Sequence, residues 1–196
     1  IDLTTNHYEE VLEFHKLVND FGANYLENPV FGSVAPALKG ELTVVSSGKT
    51  GVFEAMKPIL EKIAKEIFYL PTPSSATKMK LINNLCLGSF MATLAECTAL
   101  AESCEIPKAK ALEILGVGGG QSLVLKAKTQ KLIDEDFSAH FSNNAINKDL
   151  HLLQDLAYNL KLPLYSACVP KELFSKMKMM GKGEEDFSSI YQLFKK

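Results

Sequence analysis

The chain carries almost no surplus charge: Lys+Arg number 21 against Asp+Glu at 23 over 196 residues, for a formal net charge of −2. The basic residues are dispersed among acids, so no field exists to hold nucleic acid or an anionic membrane, and neither partner is expected. Cysteine is scarce. Cys86, Cys97, Cys104 and Cys168 form no CxxC pair, and three lie in one helix-like segment where Cα separations of about 10 Å or more prevent pairing. Reduced thiols and a cytoplasmic setting are the expectation. Long apolar runs are missing as well, because Leu81 to Ala95 is only 15 residues and carries Asn83 and Asn84. That falls short of the roughly 18 residues of a membrane span and suits a buried core helix.

Catalytic signatures are equally sparse. No HExxH or Cys/His cluster is present; His7 and His15 are eight apart, His140 and His151 eleven apart, so no metal is expected and the histidines are read as solvent-facing. Neither GxSxG nor GxxxxGK[ST] occurs. The run Gly116-Val117-Gly118-Gly119-Gly120 resembles a phosphate cradle only superficially, since it follows a helix instead of a strand and Gln121 stands where a third glycine belongs. It reads as a helix stop and turn.

What is present belongs to an ordinary folded chain, 46% apolar and 22% charged. Its length suits one extended domain or one and a half. It opens on Ile1-Asp2-Leu3-Thr4-Thr5 with no Met and no cationic leader, which reads as cut from something longer. The first third alternates strand and helix: strands at Ile1 to Thr5, Ala23 to Val30, Glu41 to Ser47 and Glu66 to Leu70, with helices from His7 to Phe21 and from a Thr50 cap. This predicts one flank of a mainly parallel sheet. From Pro71-Thr72-Pro73-Ser74-Ser75 onward no strand is expected. A helix from about Ser75 to Cys104, spanning ~45 Å, leads into helices Pro107 to Leu115, Ser122 to Ile133, Asn144 to Leu160, Tyr165 to Met180 and Phe187 to Phe194 behind an Asp186 cap.

Lys80 and Asn84, four apart, share one face of the long helix with Gly88 next along it, a polar strip with room for a small molecule. The helix dipole and partial burial both push a lysine there toward useful acid/base values. From spacing alone the plainer reading stands ahead: Lys78 and Lys80 as surface lysines whose stems cover apolar surface.

Taken together, the motifs resemble the β-hydroxyacid dehydrogenases, which include 3-hydroxyisobutyrate dehydrogenases and glyoxylate/succinic semialdehyde reductases. Ile1 to Thr5 resembles the strand that ends near the nicotinamide. Asn28-Pro29-Val30-Phe31-Gly32-Ser33 with Gly40-Glu41-Leu42 resembles the substrate loop DAPVSGG followed by GxL. Lys78 to Asn84 resembles GxxxKxxxN, Phe141 with Asn147-Lys148-Asp149-Leu150 resembles F…KDL, and Gly181 through Glu185-Asp186-Phe187-Ser188 resembles the closing GxxDFS.

The resemblance implies an α/β remnant of a Rossmann-type domain over residues 1–73, followed by an all-α, 6-phosphogluconate-dehydrogenase-like C-terminal domain over 74–196, joined by the long helix. It implies NAD or NADP as cofactor and a small 3-hydroxy acid or semialdehyde as substrate, a small carboxylate. Lys80 would be the acid/base and Asn84 would hold the substrate. Phe31, Gly32, Ser33 and Lys148 would meet the substrate, and Thr5, Phe141, Lys148 and Asp149 the cofactor. Phe31 replaces the usual loop serine and Ala76 the usual glycine. A preceding segment with GxGxxG would complete the nucleotide site, and without it the chain is not expected to hold NAD(P) alone. A homodimer or tetramer is expected, with Leu150, Leu153, Leu156, Leu173, Met177 and Met180 available to a second subunit. The competing reading is a non-catalytic helical dimerisation or binding module.

Overall fold

The computed structural model describes residues 1–195 and divides into two compact units. One comprises Ile1–Asn83 and Asp155–Lys161, the other Asn84–Gln154 and the chain from Leu162 onward.

The first unit is built on a four-stranded sheet whose central strand is β3, Leu42–Gly48. On one side β4, Ala64–Leu70, runs parallel to it and is joined to it through helix α3, Thr50–Leu60. On the other side β1, Leu26–Glu27, and β2, Val30–Phe31, are antiparallel. The expectation of a mainly parallel sheet is therefore corrected to a mixed one. The segment expected as one strand, Ala23 to Val30, starts later and is interrupted at Asn28-Pro29, because proline has no N–H to give the ladder. The register does not change across the break: Leu26↔Gly48 and Glu27↔Ser47 are continued by Val30↔Val44 and Phe31↔Thr43. Ile1 to Thr5 gives no strand but one parallel bridge, Asp2↔Glu27. Past it the Asp2 carboxylate accepts from Thr4 N at 2.8 Å and Asn6 Nδ2 at 2.9 Å and turns the chain.

Helix α1, Tyr8–Asp20, buries Tyr8, Val11 and His15, which lie on one stripe. His15 is thus not solvent-facing, as expected, but 8% exposed, its ring edge-on to Tyr25 at 4.9 Å. His7 is also engaged: its Nδ1 caps α1 by accepting from Glu9 N, and its Nε2 lies 2.9 Å from Asp155 Oδ2. That pair, with Asn159 Nδ2 donating to the Tyr8 hydroxyl at 2.5 Å, attaches residues 155–161 to the first unit. A short helix α2, Val34–Leu38, occupies what the sequence presents as a loop, and Thr50 is the first residue of α3 and not its cap. The sheet and α3 close over Leu26, Val44, Phe53, Leu60 and Ala64, with the Phe53 and Tyr69 rings stacked at 4.3 Å.

Helix α4, Ser75–Ser103, is the predicted long helix to within one residue, and the division between units falls inside it. The second unit continues with α5, Lys108–Leu115; α6, Leu123–Asp134; α7, Asn143–Asn159; α8, Tyr165–Met179; and a closing 3₁₀ helix, Phe187–Leu193. Their apolar periodicity placed them to within a residue or two; only the last is tighter than the expected α-helix. Asp186 caps it, accepting from Ser188 N at 3.1 Å. Leu150, Leu153, Leu156 and Met177, offered by the sequence to a second subunit, are buried inside this chain. Leu173 is half-buried and Met180 exposed.

Candidate functional site

The first unit brings Lys80 to the β2 segment. Lys80 is half-buried; its Nζ donates to the Val30 carbonyl at 2.9 Å and stands 4.9 Å from the centre of the Phe31 ring, a contact that favours a cation. Phe31 thus acts on the lysine directly, which its reading as a replaced serine did not foresee. Gly32 follows at φ +121°, a conformation that favours glycine, and a Cβ there would stand 2.9 Å from Leu42 Cδ2. Ser33 N-caps α2 without spending its hydroxyl on a capping bond. Thr5 is half-buried in the turn between the Asp2 bridge and α1.

The second unit assembles Asn84, Asp149 and Lys148. Asn84 is fully buried and its Nδ2 donates to Asp149 Oδ2 at 2.7 Å, while Lys148 Nζ lies 3.2 Å from Asp149 Oδ1. Asn84 and Asp149 come from α4 and α7, and between these helices Gly88 leaves 3.1 Å from its would-be Cβ to Leu150 Cδ1. The Asp149 carboxylate therefore faces Asn84 and Lys148, fixing the amide and holding the ammonium.

Phe141 is placed by a different device. Residues 137–144 run beside 183–187: Asp186 N donates to Phe137 O, Phe187 N to Phe141 O and Asn143 N to Glu185 O. Two sequence motifs far apart are one structural element. At its centre the buried Asp186 carboxylate accepts from Lys128 Nζ at 2.7 Å, His140 N at 2.9 Å, Phe141 N at 3.3 Å and Ser188 Oγ at 2.7 Å. Burial pushes its pKa up, but the bonds from Lys128 and Ser188 prevail and hold it below the usual 3.8. Lys128 is itself buried and lies 4.9 Å from the Phe187 ring centre. Sequence reasoning saw Asp186 as a helix cap but missed Lys128, whose only signal was a lysine on the apolar side of α6.

The glycine run ends α5 at Gly116, and Gly119 and Gly120 line a cavity of about 300 Å³ with Phe90, Leu94, Cys97 and Leu125. Among the described residues no cluster of three His, Cys, Asp or Glu side chains is suited to a metal.

Two family models match. Residues 74–194 match the model described as NAD-binding of NADP-dependent 3-hydroxyisobutyrate dehydrogenase, and residues 1–71 match the NAD binding domain of 6-phosphogluconate dehydrogenase. The 2-(hydroxymethyl)glutarate dehydrogenase of Eubacterium barkeri is 30% identical over 195 residues, covering 99% of this chain and 65% of the relative. Cytokine-like nuclear factor N-PAC of Gallus gallus is 29% identical, covering 99% of this chain but 35% of that protein. The chain thus spans just under two thirds of the first relative and about a third of the second. Among solved structures, a 3-hydroxyisobutyrate dehydrogenase from Salmonella typhimurium superposes with a TM-score of 0.91 at 28% identity, over 96% of this chain and 67% of that one.

Proposed function

The chain belongs to the β-hydroxyacid dehydrogenase family, and we propose that it carries the catalytic part of an NAD(P)-dependent oxidoreductase that interconverts a small 3-hydroxy acid and its carbonyl form. The observation that supports this most is Lys80, an amine placed on α4 against the Val30 carbonyl, beside the loop that carries Gly32 and Ser33.

The nicotinamide end of a dinucleotide suits the first unit. Asp2 pairs with Glu27 in parallel fashion, so Thr4 and Thr5 leave the carboxyl end of that pairing, where open α/β sheets receive ligands. Thr5 would meet the nicotinamide there; in the second unit, the family resemblance assigns Phe141, Lys148 and Asp149 to the cofactor. No GxGxxG lies within these 196 residues, so the pyrophosphate cradle is not assigned to them. When bound, the cofactor supplies or accepts the hydride.

The residues of the chain handle the proton and the anion. In reduction the Lys80 ammonium gives its proton to the substrate oxygen as negative charge develops on it; in oxidation the neutral amine takes the hydroxyl proton. Val30 and Phe31 hold the ammonium in place for that exchange. Asn84, four residues on along α4, would hold the substrate, its amide kept in one orientation by Asp149. Gly32 and Ser33 would receive the substrate carboxylate, and the family resemblance assigns Lys148 the positive charge that a small hydroxy acid needs. The family reading also proposes a homodimer or tetramer, which light scattering would show.

The test is a panel of small 3-hydroxy acids and semialdehydes offered with NAD and with NADP to the natural polypeptide that carries this sequence, following nicotinamide absorbance. Turnover with one member identifies substrate and cofactor together. No turnover across the panel refutes the enzymatic reading and leaves the helical binding module.

A further inference from the structure

We infer that Glu27, which the proton-transfer account does not use, is the positioning residue for Lys80; the inference rests on the reading of Lys80 as the acid/base. Glu27 is 1% exposed, paired with Ser47 of β3 on one side and with Asp2 on the other, yet it is ionisable, and its two oxygens are committed to the start of α4. Oε1 accepts from Ser74 N and from the Ser47 hydroxyl; Oε2 accepts from Thr77 N at 2.9 Å and from the Thr77 hydroxyl at 2.6 Å.

The first amides of a helix have no partner within it, and here all four are accounted for. Ser74 N and Thr77 N donate to Glu27 directly, Ala76 N to the Ser47 hydroxyl, which itself donates to Glu27, and Ser75 N to Thr72 O. The Ser74 hydroxyl, the natural local cap, instead donates to Tyr8 O, and Ser74 sits at φ +70°. A carboxylate from the sheet therefore replaces the local cap, at the end of the helix where negative charge is favoured.

Three residues after Glu27, along the same side of β3, Val30 offers the carbonyl that accepts from Lys80 Nζ. Three residues after Thr77, one turn along α4, stands Lys80 itself. The segment Glu27–Val30 thus grips the helix at its first turn and the lysine amine at its tip, and fixes the distance between them. His15 of α1 faces the same carboxylate, its Nε2 3.6 Å from Oε1. If Glu27 lets go, the first turn of α4 is free to shift, and a shift of about 1 Å is enough to cost a reaction up to about 100-fold.

The test compares Glu27→Ala and Glu27→Gln with Leu60→Ala, a core change in the same unit remote from α4's start, in the natural polypeptide. Two readouts are taken: kcat and KM, and amide hydrogen exchange at residues 74–78 relative to the rest of the chain. Expected for Glu27→Ala is a kcat lower by about 10- to 100-fold with KM within about twofold, and exchange at least about tenfold faster at 74–78. Glu27→Gln, which keeps one acceptor oxygen, restores most of the kcat, and Leu60→Ala lowers the melting temperature with kcat retained. If Glu27→Ala does not fold, Glu27→Gln, which loses one of the two acceptor oxygens, is read against Leu60→Ala by exchange alone: faster exchange at 74–78 than in Leu60→Ala supports the inference, and equal exchange overturns it. A kcat for Glu27→Ala within about twofold of wild type, or unchanged exchange at 74–78, overturns it. Should the wild type turn over nothing, the acid/base reading fails by itself; faster exchange at 74–78 then still supports the Glu27 anchor and unchanged exchange overturns it.

Discussion

Removing the Asp186 carboxylate is the sharpest perturbation of the second unit. Asp186→Ala leaves the Lys128 ammonium, its side chain only 5% exposed, without its anion, and strips the acceptor from His140 N, Phe141 N and Ser188. Breaking one side of a buried pair costs about 3–5 kcal/mol, chiefly because the other charge stays behind in a low-dielectric site. For a domain of this size that corresponds to a melting temperature lower by about 6–20 °C. Urea unfolding followed by far-ultraviolet circular dichroism reads it directly, as a lower midpoint at an unchanged slope. The charge argument has an internal control. Asp186→Asn combined with Lys128→Met removes both charges while keeping an acceptor for the backbone amides, and should recover at least about half of the loss. A cost below about 1 kcal/mol for Asp186→Ala, or no recovery in the double variant, would refute the reasoning.

The same carboxylate sets a pH dependence. Its pKa in the folded protein lies below the ordinary 3.8, so its contribution to stability is complete above that value and drains away as pH falls below it, through the folded pKa; Asp186→Asn should flatten the acid limb of a melting temperature series. Gly48→Ala should cost about 2–4 kcal/mol in urea unfolding, because at φ +141° a Cβ would stand 2.8 Å from Leu26 Cδ2 and 3.0 Å from Tyr25 O. Phe31→Ser restores a hydroxyl donor in the loop, and initial-rate kinetics should show KM for a short carboxylate substrate lower by about tenfold with a smaller change in kcat; an unchanged KM would remove Phe31 from the substrate loop.

Much of the fold was legible because periodicity reports which face of an element is buried. The apolar spacing of α4 through α8 gave their limits to within a residue or two, and β3 and β4 were visible in their β-branched and aromatic residues. Strand direction was not legible: the pattern of Leu26 to Phe31 is the same whether β3 runs with it or against it. Pro29 marked the break in that strand, but not that the register continues across it. His15 was misread because a histidine at the position of a core residue carries no sign of its burial. For the candidate site, motif resemblance named Lys80, Asn84 and the Gly32 loop, and their roles are proposals. Glu27 and Lys128 were not named: the leading acid of DAPVSGG falls on Glu27 when Pro29 and Val30 are aligned with it, but that it caps a helix 47 residues later, or that Lys128 pairs 58 residues later, leaves no local pattern.

The central claim is that the Lys80 amine exchanges a proton with the substrate, and steady-state kinetics of Lys80→Ala and Lys80→Arg in the natural polypeptide test it most directly. The account predicts that both variants keep their circular dichroism and melting temperature while kcat falls by about 10²–10⁴, arginine failing like alanine because its guanidinium keeps the charge but does not release the proton. A Lys80→Arg enzyme with kcat within about tenfold of wild type would show that only a positive charge is needed there, and would contradict the account.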